Sequence, residues 1–113
     1  MAEVRKILGQ VDMAATTTIT ACKVDASKEV IVSSVVFCNR GAAAVLSAYV
    51  VSAGDTGEAA DQYLYWDLAL PADDTFVATL GITLSAGDEI RGAASSTAAG
   101  SAVTMTVFGV EIS

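Results

Sequence analysis

Short runs of valine, isoleucine and threonine recur along the chain, separated by small and polar residues. Alternating apolar and polar side chains predict strands with one buried face, and turn residues about every eight to twelve positions are typical of β-sandwiches. The pattern predicts an all-β, single-domain antiparallel β-sandwich of about eight strands, with no room for a long helix. The predicted strands are Arg5–Val11, Thr16–Val24, Glu29–Asn39, Ala43–Val51, Gln62–Leu70, Thr75–Leu84, Glu89–Ser95 and Ala102–Ile112.

One segment, Gly41–Ala48, allows a helical alternative because it is rich in alanine, which favours helix. It leads directly into Tyr49-Val50-Val51, and aromatic and β-branched side chains favour strands. The segment is also short for a helix. We therefore interpret it as part of a strand.

The turns between the predicted strands carry two further signals. Asn39-Arg40-Gly41 is expected to supply a backbone position with positive φ for a tight turn. The segments Val24–Val30 and Leu84–Ile90 share one pattern: an apolar residue, a small turn, a charged pair and a new strand. This similarity fits two equivalent corners of a double Greek key, and it also fits ordinary turn chemistry.

The clearest alternation lies in the segment Gln62–Leu70. Side chains at the even-numbered positions are expected in the core. Those at the odd-numbered positions form an amphipathic face on the other side of the strand, which could be an interface. The predicted core set is Leu64, Trp66, Leu68 and Leu70, and the opposite set is Tyr63, Tyr65, Asp67 and Ala69. The aromatic side chains could also stack on sugars, as in lectin-like sandwiches.

Composition adds an expectation about neighbouring subunits. Hydrophobic residues make up 53% of the chain, 21 of them alanines, and only 17% of residues are charged. A small domain cannot hide so many apolar side chains in its own core, so we expect other subunits to cover part of its surface. The net charge of −7, without a cluster of lysine or arginine, argues against nucleic-acid binding. No apolar run is long enough to cross a membrane, and the sequence begins without a secretory signal, so we expect synthesis in the cytoplasm.

Catalytic chemistry has little support in the sequence. There is no histidine, which removes the commonest general base, and no glycine-rich phosphate loop. Cys22 and Cys38 fit three interpretations: two buried thiols, a disulfide between strands, or a catalytic thiol that would need a basic partner. The acidic pairs Asp73-Asp74 and Asp88-Glu89 are interpreted as caps on strand ends, with a calcium site or a catalytic acid/base pair as the alternatives. We expect no enzyme activity, cofactor or bound metal.

Three segments resemble a family of virus proteins. They are Val35–Gly41, Gln62–Asp67, and Asp74–Phe76 together with Leu80–Asp88. This combination is similar to small virion proteins of tailed bacteriophages, and in particular to capsid decoration (cement) proteins with a jelly-roll-like sandwich. The resemblance covers most of the chain, from about Leu8 to the end.

The resemblance implies a structural role on a virion. Such proteins sit on the outside of the mature phage head and stabilise the lattice of the major capsid protein. They also self-associate, so the expected partners are the major capsid protein and further copies of this chain, as a trimer in preference to a dimer. The expected location is the capsid surface, after synthesis in the host cytoplasm. A tail or fibre component with a host-facing site around Tyr63–Trp66 or Ser95–Ser101, and a small carbohydrate-binding module, are the alternatives.

The expected contact sites follow from this role. Residues 1–10 are predicted to form an N-terminal arm that contacts the capsid through Arg5 and Lys6, with the sandwich domain spanning 11–113. Tyr63 and Tyr65 are the other candidate subunit contacts, and the loop Ser52–Ala60 is a weaker one.

Overall fold

Eight strands make up most of the residues that the computed structural model describes, which are 2–13, 18–55, 60–95 and 103–113. The loop predicted at Ser95–Ser101 lies almost entirely outside these residues, as does part of Ser52–Ala60. Each predicted strand is present, and Gly41–Ala48 contributes to a strand and not to a helix. The strands are β1 (Glu3–Met13), β2 (Ile19–Lys23), β3 (Glu29–Asn39), β4 (Ala44–Val51), β5 (Tyr63–Leu70), β6 (Thr75–Leu84), β7 (Glu89–Ser95) and β8 (Val103–Ile112), with a short 3₁₀ turn at Ala60–Gln62.

The first half of the chain pairs with the second half in reverse order. Strand β1 pairs with β8, β2 with β7, β3 with β6 and β4 with β5, all antiparallel. Two further ladders, β3 with β8 and β4 with β7, join these pairs into two four-stranded sheets. The orders β1-β8-β3-β6 and β2-β7-β4-β5 are those of a jelly roll, which confirms the predicted fold class.

The two turns with a similar sequence pattern meet at one corner of this jelly roll. The Val24 amide donates to the Asp88 carbonyl at 3.0 Å, and the Gly87 amide donates to the Val24 carbonyl at 2.9 Å. At this corner the paired strands β2 and β7 give way to β3 and β6 in the other sheet. This meeting of the two turns fits the first of the two interpretations, equivalent corners.

The core fills the space between the two sheets. Alternate residues of each strand point inward, and Phe37, Met105 and Val107 from one sheet meet Leu46 and Ile90 from the other, all fully buried. Along one side the sheets approach closely, because Gly9 of β1 lies against the carbonyl of Ala21 in β2.

The predicted facing of β5 is correct in its second half and wrong in its first. Leu68 and Leu70 point inward as expected, whereas Leu64 and Trp66 are exposed. The cause is a β-bulge: Ser47 of β4 lies opposite both Trp66 and Asp67, and Asp67 adopts a positive φ of 51°. One extra residue in a strand reverses the facing of all side chains on one side of it.

Residues 3–10, most of the predicted arm, lie in β1. They pair with β8 in register from Glu3 opposite Ile112, with one irregularity between Ile7 and Gly9. The strand continues to Met13 without a break at the predicted boundary between arm and sandwich. This segment is therefore an edge of the sheet in the structure.

The turn after β3 is built differently from its prediction. Positive-φ glycines among the described residues are Gly54 and Gly87, so Gly41 does not supply the expected conformation. The buried side chain of Asn39 forms the turn instead. Its amide nitrogen donates to the carbonyls of Ala42 at 2.9 Å and Pro71 at 3.1 Å, and its oxygen accepts from the Gly41 amide at 2.9 Å.

Candidate interaction surface

An apolar surface covers the outer face of the sheet β1-β8-β3-β6. We call it the Phe108 face, and it consists of Ile7, Ile31, Val36, Val77, Phe108 and Val110. The strand register brings them together: Ile7 lies opposite Phe108, Val110 opposite Ile31, and Val36 opposite Val77. Ile7 is 53% exposed, Val77 56% and Phe108 36%, so large apolar side chains meet solvent here.

The polar residues among them are small and uncharged. Serine and threonine fill the remaining outward positions of β3, β6 and β8 in the middle of the sheet, at Ser34, Thr79 and Thr106. Charged residues lie at the ends of the face, with Arg5 and Glu29 at one end and Asp12 at the other. The centre of the face is therefore a surface that costs little to desolvate.

An open depression deepens this surface beside Phe108. It has a volume of about 500 Å³, and Ile7, Ser33 and Val110 contribute to its lining together with Arg5. The bulge between Val32 and Ser34 shapes this part of the sheet, and the displaced Ser33 hydroxyl donates to the Phe108 carbonyl at 3.2 Å.

Arg5 and Lys6, the first pair of predicted contact residues, point to opposite sides of β1. Arg5 lies on the outer face at the rim of the Phe108 face. Lys6 points the other way, and its ammonium group lies 3.5 Å from the Glu111 carboxylate. The ammonium group of Lys28 lies 3.3 Å from the same carboxylate. These two ammonium groups hold the pKa of Glu111 below its ordinary value, and the hydrogen bond from Lys28 has the larger effect.

Tyr63 and Tyr65, the second predicted pair, are half-buried and packed within the molecule. The Tyr63 ring lies 5.2 Å from Tyr49 and 4.7 Å from Trp66, the latter edge to face. The Tyr65 ring meets Phe76 of the other sheet edge to face at 5.5 Å. At this edge the most exposed aromatic side chain is Trp66, at 65%.

The structure does not bring the two predicted pairs together. Strand β1 lies at one edge of its sheet, beside β2, and β5 lies at the edge of the other sheet, beside β6. Arg5 and Lys6 are therefore at the opposite side of the sandwich from Tyr63 and Tyr65. Their role as subunit contacts stays a prediction.

The Phe108 face is not among the sites predicted from the sequence, although the sequence carries one signal for it. In β3 the inward positions are apolar, as in Val32 and Val35, but so are the outward positions Ile31 and Val36. A strand that is apolar on both sides is typical of one covered on both faces. The exposed side of β3 is the side that the jelly roll leaves uncovered.

A row of charged groups crosses the outer face of the opposite sheet. The Glu89 carboxylate accepts from Arg91 Nε and from the Thr20 hydroxyl, each at 2.9 Å, and Lys23 lies 4.0 Å away. The hydrogen bond from Arg91 is the main reason why the pKa of Glu89 is lowered. This network joins β2 to β7 and gives the Glu89 carboxylate three polar partners.

One carboxylate of the acidic pairs considered for chemistry has a clear structural role. The Asp88 carboxylate accepts from the amides of Ala53 and Ser85, each at 2.9 Å, and therefore caps a turn as predicted. Cys22 and Cys38 are free thiols, so the disulfide interpretation is wrong. Cys22 is buried and Cys38 is half-buried, so the interpretation as buried thiols holds fully for Cys22 alone. Burial raises the pKa of Cys22. Within the described ranges, no three side chains of histidine, cysteine, aspartate or glutamate gather as a metal site. No helix in the described part of the chain could span a membrane.

Comparison with known proteins identifies a similar fold without a sequence family. No family model matches the sequence, and no curated protein matches it. A chain in the structure of infectious bursal disease virus Gx strain has a similar fold, with a TM-score of 0.59 and 15% identity. The similarity covers 97% of this chain and 31% of that chain, so this chain spans about a third of its length. At this identity the likeness shows the fold alone.

Proposed function

We propose that this protein is a non-enzymatic structural component of a virion, and specifically a capsid decoration protein. It binds the outside of the mature phage head and stabilises the lattice of the major capsid protein. The resemblance to tailed-phage decoration proteins suggests this role, and the fold is compatible with it. Function on a common fold must nevertheless be argued from a site, and that site is the Phe108 face.

The observation that carries the proposal is the apolar, centrally uncharged outer face of one sheet. Phe108, Ile31 and Val77 are exposed there without a charged residue between them. Protein interfaces are depleted of charge at their centre and polar at their rim, and this face has that distribution. The rim residues Arg5, Glu29 and Asp12 would orient the protein on its partner.

The similarity of fold is a second observation that supports a role as a virion component. The chain with the similar fold comes from the structure of a virus, and jelly rolls are common in viral capsid domains. A protein that binds only the assembled, expanded lattice stabilises that lattice by mass action, because each bound copy favours the state it binds. No catalytic group is needed for such a role.

Co-sedimentation with expanded shells that lack this protein tests the proposal. We expect saturable binding in a fixed ratio to the major capsid protein, and a higher disruption temperature for the decorated shell. Absence of binding even with this protein in large molar excess over the shell subunits would contradict the capsid role. Binding to purified tails in the same assay would instead assign the protein to the tail or fibre.

One observation favours a second candidate, a carbohydrate-binding module. Trp66 presents its ring to solvent and is held edge to face by Tyr63, which makes it a rigid stacking surface. Lectin domains also use the jelly-roll architecture. Saturable glycan binding that is lost in Trp66→Ala, with unchanged thermal unfolding, would support this candidate. A glycan array without binding would exclude it.

A further inference from the structure

The open backbone edge of β1 is a surface that the proposed function does not use, although the side chain of Arg5 also lies at the rim of the Phe108 face. Strand β1 lies at the edge of its sheet and, among the residues described, pairs with β8 alone. Val4 is 52% exposed even though it points toward the inner side of the sheet. An unpaired edge of this kind is a template for pairing with a strand from another chain.

Backbone groups at this edge belong to alternate residues. Ala2 and Ser113 exchange both of their backbone hydrogen bonds, at 3.2 Å and 3.0 Å. Bonded and non-bonded pairs alternate along an antiparallel ladder, so Val4 and Lys6 also bond toward β8. The backbone groups that point to the open edge are those of Glu3, Arg5 and Ile7.

The open part of the edge is short. Further along β1, Gly9 approaches the backbone of Ala21 so closely that an added Cβ atom would overlap the Ala21 carbonyl oxygen. Strand β2 therefore covers the second half of β1. A pairing strand has room beside the first half, up to Ile7.

We propose that a second copy of this chain pairs with this edge, β1 against β1, around a two-fold axis at Val4. In this antiparallel arrangement Val4 lies opposite Val4 of the second copy. Glu3 lies opposite Arg5 of the second copy, and symmetry repeats the pair. The backbone groups of Glu3 and Arg5 point to the open edge, so these two opposed pairs can form four backbone hydrogen bonds.

The charges of Glu3 and Arg5 favour this register over the next one, in which Arg5 would lie opposite Arg5. Glu3 and Arg5 both point to the outer face of the sheet, so the two side chains come together as a cross-strand pair of opposite sign. In the adjacent register that also aligns the free backbone groups, Arg5 lies opposite Arg5. Like charges directly opposite each other are destabilising.

The dimer is expected to be weak, because a pairing of about seven residues falls short of the roughly 800 Å² per partner of a standard stable interface. It is a two-fold dimer, where the family resemblance implied a trimer. The inference does not rest on the proposed function, since it is measured on the purified protein without a capsid. If the dimer is not observed, the proposed capsid role is unaffected, and if capsid binding is not observed, the proposed dimer is unaffected.

Exchange of the two charges gives a sharp test, with sedimentation velocity over a wide concentration range as the measurement. We expect the wild-type chain to associate to a dimer as its concentration rises. Glu3→Arg and Arg5→Glu each create like-charge pairs and should weaken the dimer by about tenfold or more. The double variant Glu3→Arg/Arg5→Glu restores opposite charges and should recover association.

Control variants separate this edge from other surfaces. Lys23→Glu changes an exposed charge on β2, at the edge of the other sheet, and should leave association unchanged. Circular dichroism and thermal unfolding verify the fold of each variant. A wild-type chain that stays monomeric at millimolar concentration would overturn the inference, as would a double variant that does not recover. Association that is insensitive to both single exchanges but lost in Phe108→Asp would also overturn it, because it would place the contact on the Phe108 face.

Discussion

Two glycines of the same sheet show how differently single residues are constrained by this fold. A Cβ atom on Gly9 would overlap the carbonyl of Ala21, whereas a Cβ atom on Gly81 would meet nothing within 4 Å. The first glycine lets β1 and β2 approach, and thereby closes one side of the sandwich. The second lies at an exposed position in β6.

We therefore expect opposite outcomes for the two alanine substitutions. Gly9→Ala should lower the free energy of unfolding by about 2 kcal/mol or more, because neither backbone can move away without breaking its ladder. Gly81→Ala should change it by less than about 1 kcal/mol. Urea unfolding followed by circular dichroism measures both, and equal effects would contradict the close approach of β1 and β2.

The pKa of Glu89 gives a pH-dependent prediction at the same scale. Its pKa lies below the ordinary 4.5 in the folded protein, mainly because of the bond from Arg91. A lowered folded-state pKa contributes stability above the unfolded pKa, and this contribution is lost as the pH falls through the folded value. Glu89→Gln should therefore destabilise the protein at pH 7, and the difference from wild type should shrink below pH 4.5.

Thermal unfolding across a pH series measures this difference. Glu29→Gln, a change at the exposed start of β3, is the matched control and should show a smaller effect at pH 7. A destabilisation by Glu89→Gln that stays constant down to pH 2 would show that the ionised carboxylate is not the stabilising group.

At the scale of elements, strand positions could be predicted from the sequence more fully than strand facing. The bounds of β3, β6 and β7 agree with the predicted ones. Their apolar runs end at turn residues, which can be recognised from the neighbouring sequence alone. The bulge in β5 depends on its register against Ser47 of β4, and neither alternation nor turn residues carry that information. Alternation alone therefore places Trp66 in the core, whereas the structure exposes it beside Tyr63.

The bulge itself makes a prediction about β5. Asp67 has φ of 51°, a conformation that glycine adopts freely and β-branched residues avoid. Asp67→Val should destabilise the protein by about 1–2 kcal/mol, whereas Asp67→Gly should be close to neutral. Ala69→Val, at an exposed position of the same strand, is the control and should cost less than Asp67→Val. Equal effects in chemical denaturation would contradict the left-handed conformation of Asp67.

At the scale of the whole molecule, composition indicates excess apolar surface but not its place. An apolar content of 53% with few charges implied that neighbours cover part of the domain. The place of the exposed apolar surface depends on how β8, β3 and β6 come together, and their contacts join residues far apart in the sequence. Phe108 lies beside Ile7 and Ser34 only because the chain pairs its two ends and its middle in one sheet.

The central claim is that this protein works by docking the Phe108 face on a capsid lattice. Binding of four proteins to expanded shells tests it most directly. They are the wild-type chain, Phe108→Asp and Val77→Asp on the Phe108 face, and Trp66→Asp on the opposite sheet. All three substituted side chains are exposed on outer faces, so the variants are expected to fold, and thermal unfolding verifies this for each. We predict saturable binding of the wild-type chain and Trp66→Asp, and loss of binding in Phe108→Asp and Val77→Asp. Wild-type binding by folded Phe108→Asp and Val77→Asp would contradict the account.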